Sequence, residues 1–163
     1  MAQSMIAIFE TLDPVACYIT FGGMLVDPRI DEQDLVTLLE YLIDTRRIQI
    51  NDTRGPNWLV KIIEHEKPGL VDVLLQRNAN VQLGTETGMT PIIKAVMRAA
   101  DGPFINTVMN DIIRKLVKKD PAVIHTQRGG QNLMFMSWRR NPKLSQITLL
   151  LDMGFHINRA IPS

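Results

Sequence analysis

Apolar residues in this chain fall in runs that close on an apolar pair, followed six residues later by a lone apolar residue and then a glycine. Leu74, Leu75 and Val81 precede Gly88 in this way, Leu116, Val117 and Val123 precede Gly130, and Tyr41, Leu42 and Ile48 precede Gly55. A fourth ending, Leu150, Leu151, Gly154, Phe155, His156, Ile157 and Asn158, stands near the end of the sequence. Two residues after each of the three glycines comes a capping residue, Asn57, Thr90 or Asn132, and Pro91 follows Thr90 directly. An Asn or Thr side chain at an N-cap accepts an otherwise unpaired backbone N–H, and proline at the first helical position gives up a donor that had no partner there. Each cap therefore opens a helix and each apolar pair closes a second one, which predicts consecutive helix pairs.

Asp13 and Pro14 form another cap and first-turn step, placing a first pair at about 13–48 with an insertion near Phe21 to Ile30. A start at Gly22 would keep the spacing to Gly55, but Pro28 would then lie inside the helix, where proline costs about 3 kcal/mol. The unit opened by Thr90 is longer than its neighbours. Asp101, Gly102 and Pro103 break its first helix and start a longer second one, about Phe104 to Lys119. Phe104, Ile105, Val108 and Met109 are apolar at helical spacing, so the inserted segment 101–110 is expected to fill a local gap. In the last unit the second helix, about Lys143 to Asp152, is expected to turn Lys143, Ser145, Gln146 and Thr148 outward as a polar terminal face.

This arrangement resembles the ankyrin repeat, a unit of about 33 residues. Gly88, Thr90, Pro91, Ile92 and Ala95 match that family's helix start, Leu74, Leu75, Ala79 and Val81 its helix end, and Gly154, Ile157 and Asn158 the end of the last unit. The match is good from about residue 55 to 158 and poor over the first 50. Ile93 replaces the usual His, Trp58 and Leu133 replace the Pro, and Trp138 is read at the position of a small Ala. The resemblance implies an all-α, ankyrin-like solenoid of about four helix-turn-helix repeats with irregular insertions. Residues 1–163 would form one domain, with units at about 13–48, 55–81, 88–123 and 130–158 and an N-terminal capping helix at 1–12.

With 163 residues and 45% apolar content, the chain is large enough to bury a continuous core. A net charge of +1 favours neither nucleic acid nor membrane as a bulk partner. Cys17 is the single cysteine, which excludes an internal disulfide, suits a reducing, cytoplasmic setting and reads as a small buried apolar residue. The apolar stretch Met5 to Val26 is interrupted by Glu10, Asp13 and Pro14, and no Lys or Arg precedes Arg29. The basic start of a signal peptide is thus missing, and the stretch reads as a pair of capping helices.

Catalytic chemistry finds little material. His65, His125 and His156 fall in three different parts of the pattern, without a second ligand at metal-binding spacing. Glu64, His65 and Glu66 alternate around a helix end rather than sharing a face, and neither Gly22-Gly23 nor Gly129-Gly130 opens a phosphate-binding loop. No catalytic, metal or cofactor site is expected.

Binding is the better-supported expectation, because in ankyrin-like stacks the first helices and the projecting tips line a concave protein-binding face. The fourth residues after the caps are Cys17, Lys61, Lys94 and Met136; the seventh and eighth are Thr20 and Phe21, Glu64 and His65, Met97 and Arg98, and Arg139 and Arg140. The tips add Thr53, Arg54 and Pro56, then Glu86, Thr87 and Met89, then Arg128, Gly129 and Gln131. The resemblance thus assigns partner binding to Arg54, Lys61, His65, Met89, Lys94, Met97, Arg98, Arg128, Arg139 and Arg140. Guanidinium forks suit carboxylate or phosphate, so a monomer that binds an acidic protein surface is expected. Methionines beside them add adaptable apolar contact. Nucleic acid is the alternative of another class, disfavoured by the near-neutral charge and by the expectation that Trp58 and Trp138 are core residues. Small ankyrin-like proteins of bacteria and viruses act as effectors delivered into host cells or as partners that neutralise a toxin, and the resemblance permits either role.

Overall fold

The computed structural model describes residues 2–53, 55–101, 103–140 and 144–156, with the side chains of 103–106 and 140 excepted. The chain is mostly helical, and it divides into two compact units at Asn80 and Val81.

The first unit contains α1 (Ala2–Glu10), α2 (Pro14–Met24), α3 (Glu32–Asp44), α4 (Trp58–Glu64) and α5 (Pro68–Gln76). The sequence-predicted caps hold at α2 and α4. Asp13 accepts from the Ala16 N–H at 2.9 Å and Asn57 from the Val60 N–H at 3.0 Å. Asp31 does the same for α3, accepting from Gln33 at 2.7 Å, and Glu32 and Asp34 place negative charge in the first turn, at the positive end of the helix dipole.

These two acids also reach other helices. Asp34 accepts from the backbone N–H of Ala2 at 3.0 Å, at the start of α1. Glu32 accepts from the Gly69 N–H at 2.6 Å and so caps α5, whose own N-cap residue Lys67 supplies no side-chain bond. Gly69 permits that approach, since a Cβ there would lie 2.9 Å from Glu32 Oε1. At the other end of α1, Arg47 donates to the carbonyls of Phe9 and Leu12 at 2.8 and 2.9 Å, satisfying acceptors that a helix end leaves open. α1 is therefore fastened at both ends by residues of α3 and the turn after it.

The core of this unit is aromatic on one side and aliphatic on the other. Tyr18 stacks on Trp58 with ring centroids 5.5 Å apart, and Phe21 meets the same indole edge-on at 5.4 Å, joining α2 to α4. Leu35, Leu38, Leu39 and Leu42 form the buried face of α3, which packs against α1 and α5. The loops at the ends of the two pairs are tied together: the Asn51 amide donates to the Asn78 carbonyl at 3.1 Å and accepts from the Asn80 N–H at 2.8 Å.

The second unit contains α6 (Pro91–Ala99), α7 (Pro103–Lys119), a 3₁₀ turn (Pro121–His125), β1 (Gln127–Arg128), β2 (Gln131–Asn132), α8 (Leu133–Arg140) and α9 (Leu144–Asp152). The break after α6 and the longer α7 fall where Asp101, Gly102 and Pro103 place them. Gly102 and the side chains of Phe104 and Ile105 lie outside the described residues, while Met109 is buried as expected for a filling segment. Between β1 and β2, Gly129 and Gly130 take positive φ angles of 56° and 73°, the two-residue turn whose twist matches an antiparallel hairpin. α6 packs on α7 and α8, and α9 packs on α7 and α8.

Three expectations are corrected here. Thr90 does precede α6 with extended backbone, but its hydroxyl makes no capping bond and is buried without a partner. Its methyl faces Gly84 instead, and the loop is tied by Thr85, whose hydroxyl accepts from the Met89 N–H at 3.2 Å. Gln146 is fully buried rather than part of a polar outer face. Its amide donates to the Val96 carbonyl at 2.9 Å and accepts from the Ser137 hydroxyl at 2.9 Å. The cause is the early end of α6: the Ala100 N–H bonds to Arg98, so Val96 belongs to the last turn and takes an acceptor's partner from outside the helix. Trp138 is 61% exposed, because the buried arc of α8 is Leu133, Met136 and Ser137. Ser137 stands five residues after its cap, as Ala95 does, and is the small residue of that helix. Lys143, the fourth member of the expected polar face, and the motif residues Ile157 and Asn158 lie outside the described residues.

Candidate partner-binding surface

On α4 and α6 most apolar residues are buried over most of the circumference, which leaves a narrow accessible arc. On α4 it consists of Lys61 and Glu64 with His65 at the helix end; on α6 it consists of Lys94, Met97 and Arg98. Residues three and four apart share a helix face, so each arc points one way. α2 departs from this phase. Cys17 and Phe21 are fully buried, Cys17 beside the Phe9 and Leu12 carbonyls and Phe21 against Trp58, and Val15 and Ile19 are exposed instead.

In the first unit, Lys61 lies half-buried with its amine over Gly22, where a Cβ would stand 2.9 Å from Nζ. His65 is half-buried at the C-cap of α4, and Arg54 lies outside the described residues.

The second unit brings several expected residues into one place. Met97 from α6, Met136 and Arg139 from α8, and Arg128, Gly129 and Gln131 from the hairpin line an open cleft of about 570 Å³. Two arginines, one on a strand and one on a helix, flank two methionine side chains, and no carboxylate is found among these lining residues. Arg128 is held in place by a bond from Nε to the Thr87 carbonyl at 3.1 Å, and its stem passes the outer side of Gly88. Gly88 has φ of +72°, so the loop depends on glycine there. Arg139 is exposed at the rim.

Other expected residues stay outside this cleft. Arg98 forms an ion pair with Asp101 at 2.7 Å, three residues on, so part of its charge is answered locally. Met89 sits in the loop before α6 and Lys94 one turn ahead of Arg98, both half-buried. Arg140 belongs to α8, but its side chain lies outside the described residues.

The structure adds two features that spacing did not reveal. Phe135 and Trp138 on α8 are 49% and 61% exposed, next to Arg139 on the same helix. The rings of His125 and His156, distant in sequence, lie nearly parallel with centroids 6.4 Å apart. Among the described residues no group of three or more His, Cys, Asp or Glu side chains is placed to hold a metal ion, and no helix is long and apolar enough to cross a membrane. Comparison with protein-family models, with curated proteins and with solved structures gave no match to this chain.

Proposed function

We propose that this chain is a non-catalytic protein-interaction module, an ankyrin-like stack of helix pairs that binds an acidic partner segment through basic residues of its inner helices and tips. Two observations inside the units support the stacked reading. In the first, α2 meets α4 and α3 meets α5, while the Asn51 amide bridges the corresponding loops. In the second, α6 meets α8 and α7 meets α9. First helices thus lie beside first helices and second beside second, the arrangement by which repeats bury faces that none could bury alone.

The observation that carries the binding reading is the cleft itself. It is an open cleft lined by Met97 and Met136 together with Arg128 and Arg139, and no carboxylate is found among its described lining residues to answer their charge. Replacing both arginines by glutamate should abolish capture of the natural partner while leaving the melting temperature within a few degrees, because both side chains reach solvent. Undiminished capture would refute the acidic-partner reading. The identity of what co-elutes separates the two roles: a host protein marks an effector, and a toxin produced in the same cell marks a neutralising partner.

Nucleic acid is the second reading, and the exposed Trp138 beside Arg139 favours it more than the sequence did. It requires affinity that falls steeply with salt, because each neutralised phosphate releases counterions. Binding to single-stranded oligonucleotides that is weak and independent of the Trp138→Ala change would remove it.

A further inference from the structure

We infer that the cleft of the second unit accepts a linear acidic peptide, with one leucine, methionine or phenylalanine side chain seated on Met97 and Met136 and a neighbouring carboxylate held by Arg128 and Arg139. This rests on the acidic-partner reading and adds the form of the partner: an extended segment with an apolar anchor rather than a charged patch on a folded surface.

Size is the first argument. About 570 Å³ lies within the range of pockets that enclose a drug-sized ligand, which is room for a few residues and far more than one anion needs. The second argument is the chemistry of the floor. A charged patch on a folded partner would meet the exposed Arg139 and leave Met97 unused, whereas an inserted side chain covers the half-buried Met97 beside the buried Met136, and thioethers adapt to several apolar shapes. Third, the cations stand on separate elements around that floor. Arg128 is fixed through Nε, which leaves the two terminal nitrogens of its fork for a bidentate carboxylate. Its stem is already ordered against the loop of Thr87 and Gly88, so binding forfeits less side-chain freedom there. Arg139, exposed at the rim, adds long-range attraction that steers an acidic segment inward.

The test is selection of a phage-displayed random octapeptide library on the immobilised full chain, followed by fluorescence anisotropy of the enriched peptides. Enriched sequences should pair Asp or Glu with Leu, Met or Phe. Exchanging the peptide's acids for amides, or introducing Arg128→Gln or Arg139→Gln, should each weaken binding on the order of tenfold. Met97→Ser and Met97→Gln should weaken it several-fold, and Lys118→Gln on α7 should leave it unchanged. If enriched peptides are acidic but indifferent to their apolar residue and to both Met97 variants, the apolar seat is wrong while the acidic-partner reading survives. No enrichment, alongside partner capture that still depends on Arg128 and Arg139, overturns the linear-segment inference alone. Peptides enriched without acids, together with capture indifferent to both arginines, overturn inference and reading alike.

Discussion

Replacing Gln146 by alanine distinguishes the structure from the surface role that its sequence position implies. An exposed glutamine on a terminal helix is replaceable within about 0.5 kcal/mol. In the structure the same change removes the donor to the Val96 carbonyl and the acceptor of the Ser137 hydroxyl, in a site where Gln146 and Ser137 are both fully buried. An orphaned buried polar group costs about 1–3 kcal/mol. The serine hydroxyl can turn toward a carbonyl of its own helix, so its share belongs at the low end. With the space left by the amide, the expected loss is about 3 kcal/mol, or about 6–12 °C in melting temperature for a chain of this size. Urea unfolding followed by circular dichroism measures it. The double variant with Ser137→Ala should lose about 1 kcal/mol less than the sum of the two single changes, because residues in one hydrogen-bond network are coupled. A cost below about 0.5 kcal/mol for Gln146→Ala, with additive behaviour, would refute the buried network.

Glu32→Ala removes the carboxylate that caps α5 through Gly69. A loss of about 1–2 kcal/mol in urea unfolding is expected, and a neutral result would mean that α5 needs no borrowed cap. Asp27 should titrate near pH 2, below its ordinary 3.8, because Arg29 donates to it through side chain and backbone. Since the folded value is the lower one, whatever stability this contact gives is present above about pH 3.8 and fades as pH falls through about 2. Carboxyl-carbon NMR of wild type and Arg29→Gln reads the shift, and an unchanged midpoint in the variant would contradict the assigned cause.

The helical character and the helix starts were legible because caps and breakers act locally. Asp13, Asn57, Thr90 and Asn132 each stand directly before a helix, and α6 ends at Ala99, just before Asp101, while the longer α7 begins at Pro103. Features that depend on distant partners were not legible. Gln146 looked like surface because its acceptor, Val96, lies 50 residues away and is available only because α6 stops early. Glu32 stands in the first turn of α3, yet it serves a helix that begins with Pro68. Trp138 was placed inside by reading the repeat one residue out of step, and the wheel of Leu133, Met136 and Ser137 would have put it outside. Of the expected binding residues, helical spacing correctly grouped Lys94, Met97 and Arg98 on one arc of α6. It did not show that Arg98 turns to Asp101, nor that Met97, Arg128 and Arg139 converge around a single cleft.

A photo-crosslinking amino acid at position 97, on the floor of the cleft, and at position 118, exposed on α7, tests partner binding in the cells where the chain acts. A single protein adduct at 97, absent at 118 and lost when Arg128 and Arg139 are made glutamate, is the expected result. Equal labelling at both positions, or an adduct at 97 that persists after charge reversal, would contradict a basic cleft that selects an acidic partner.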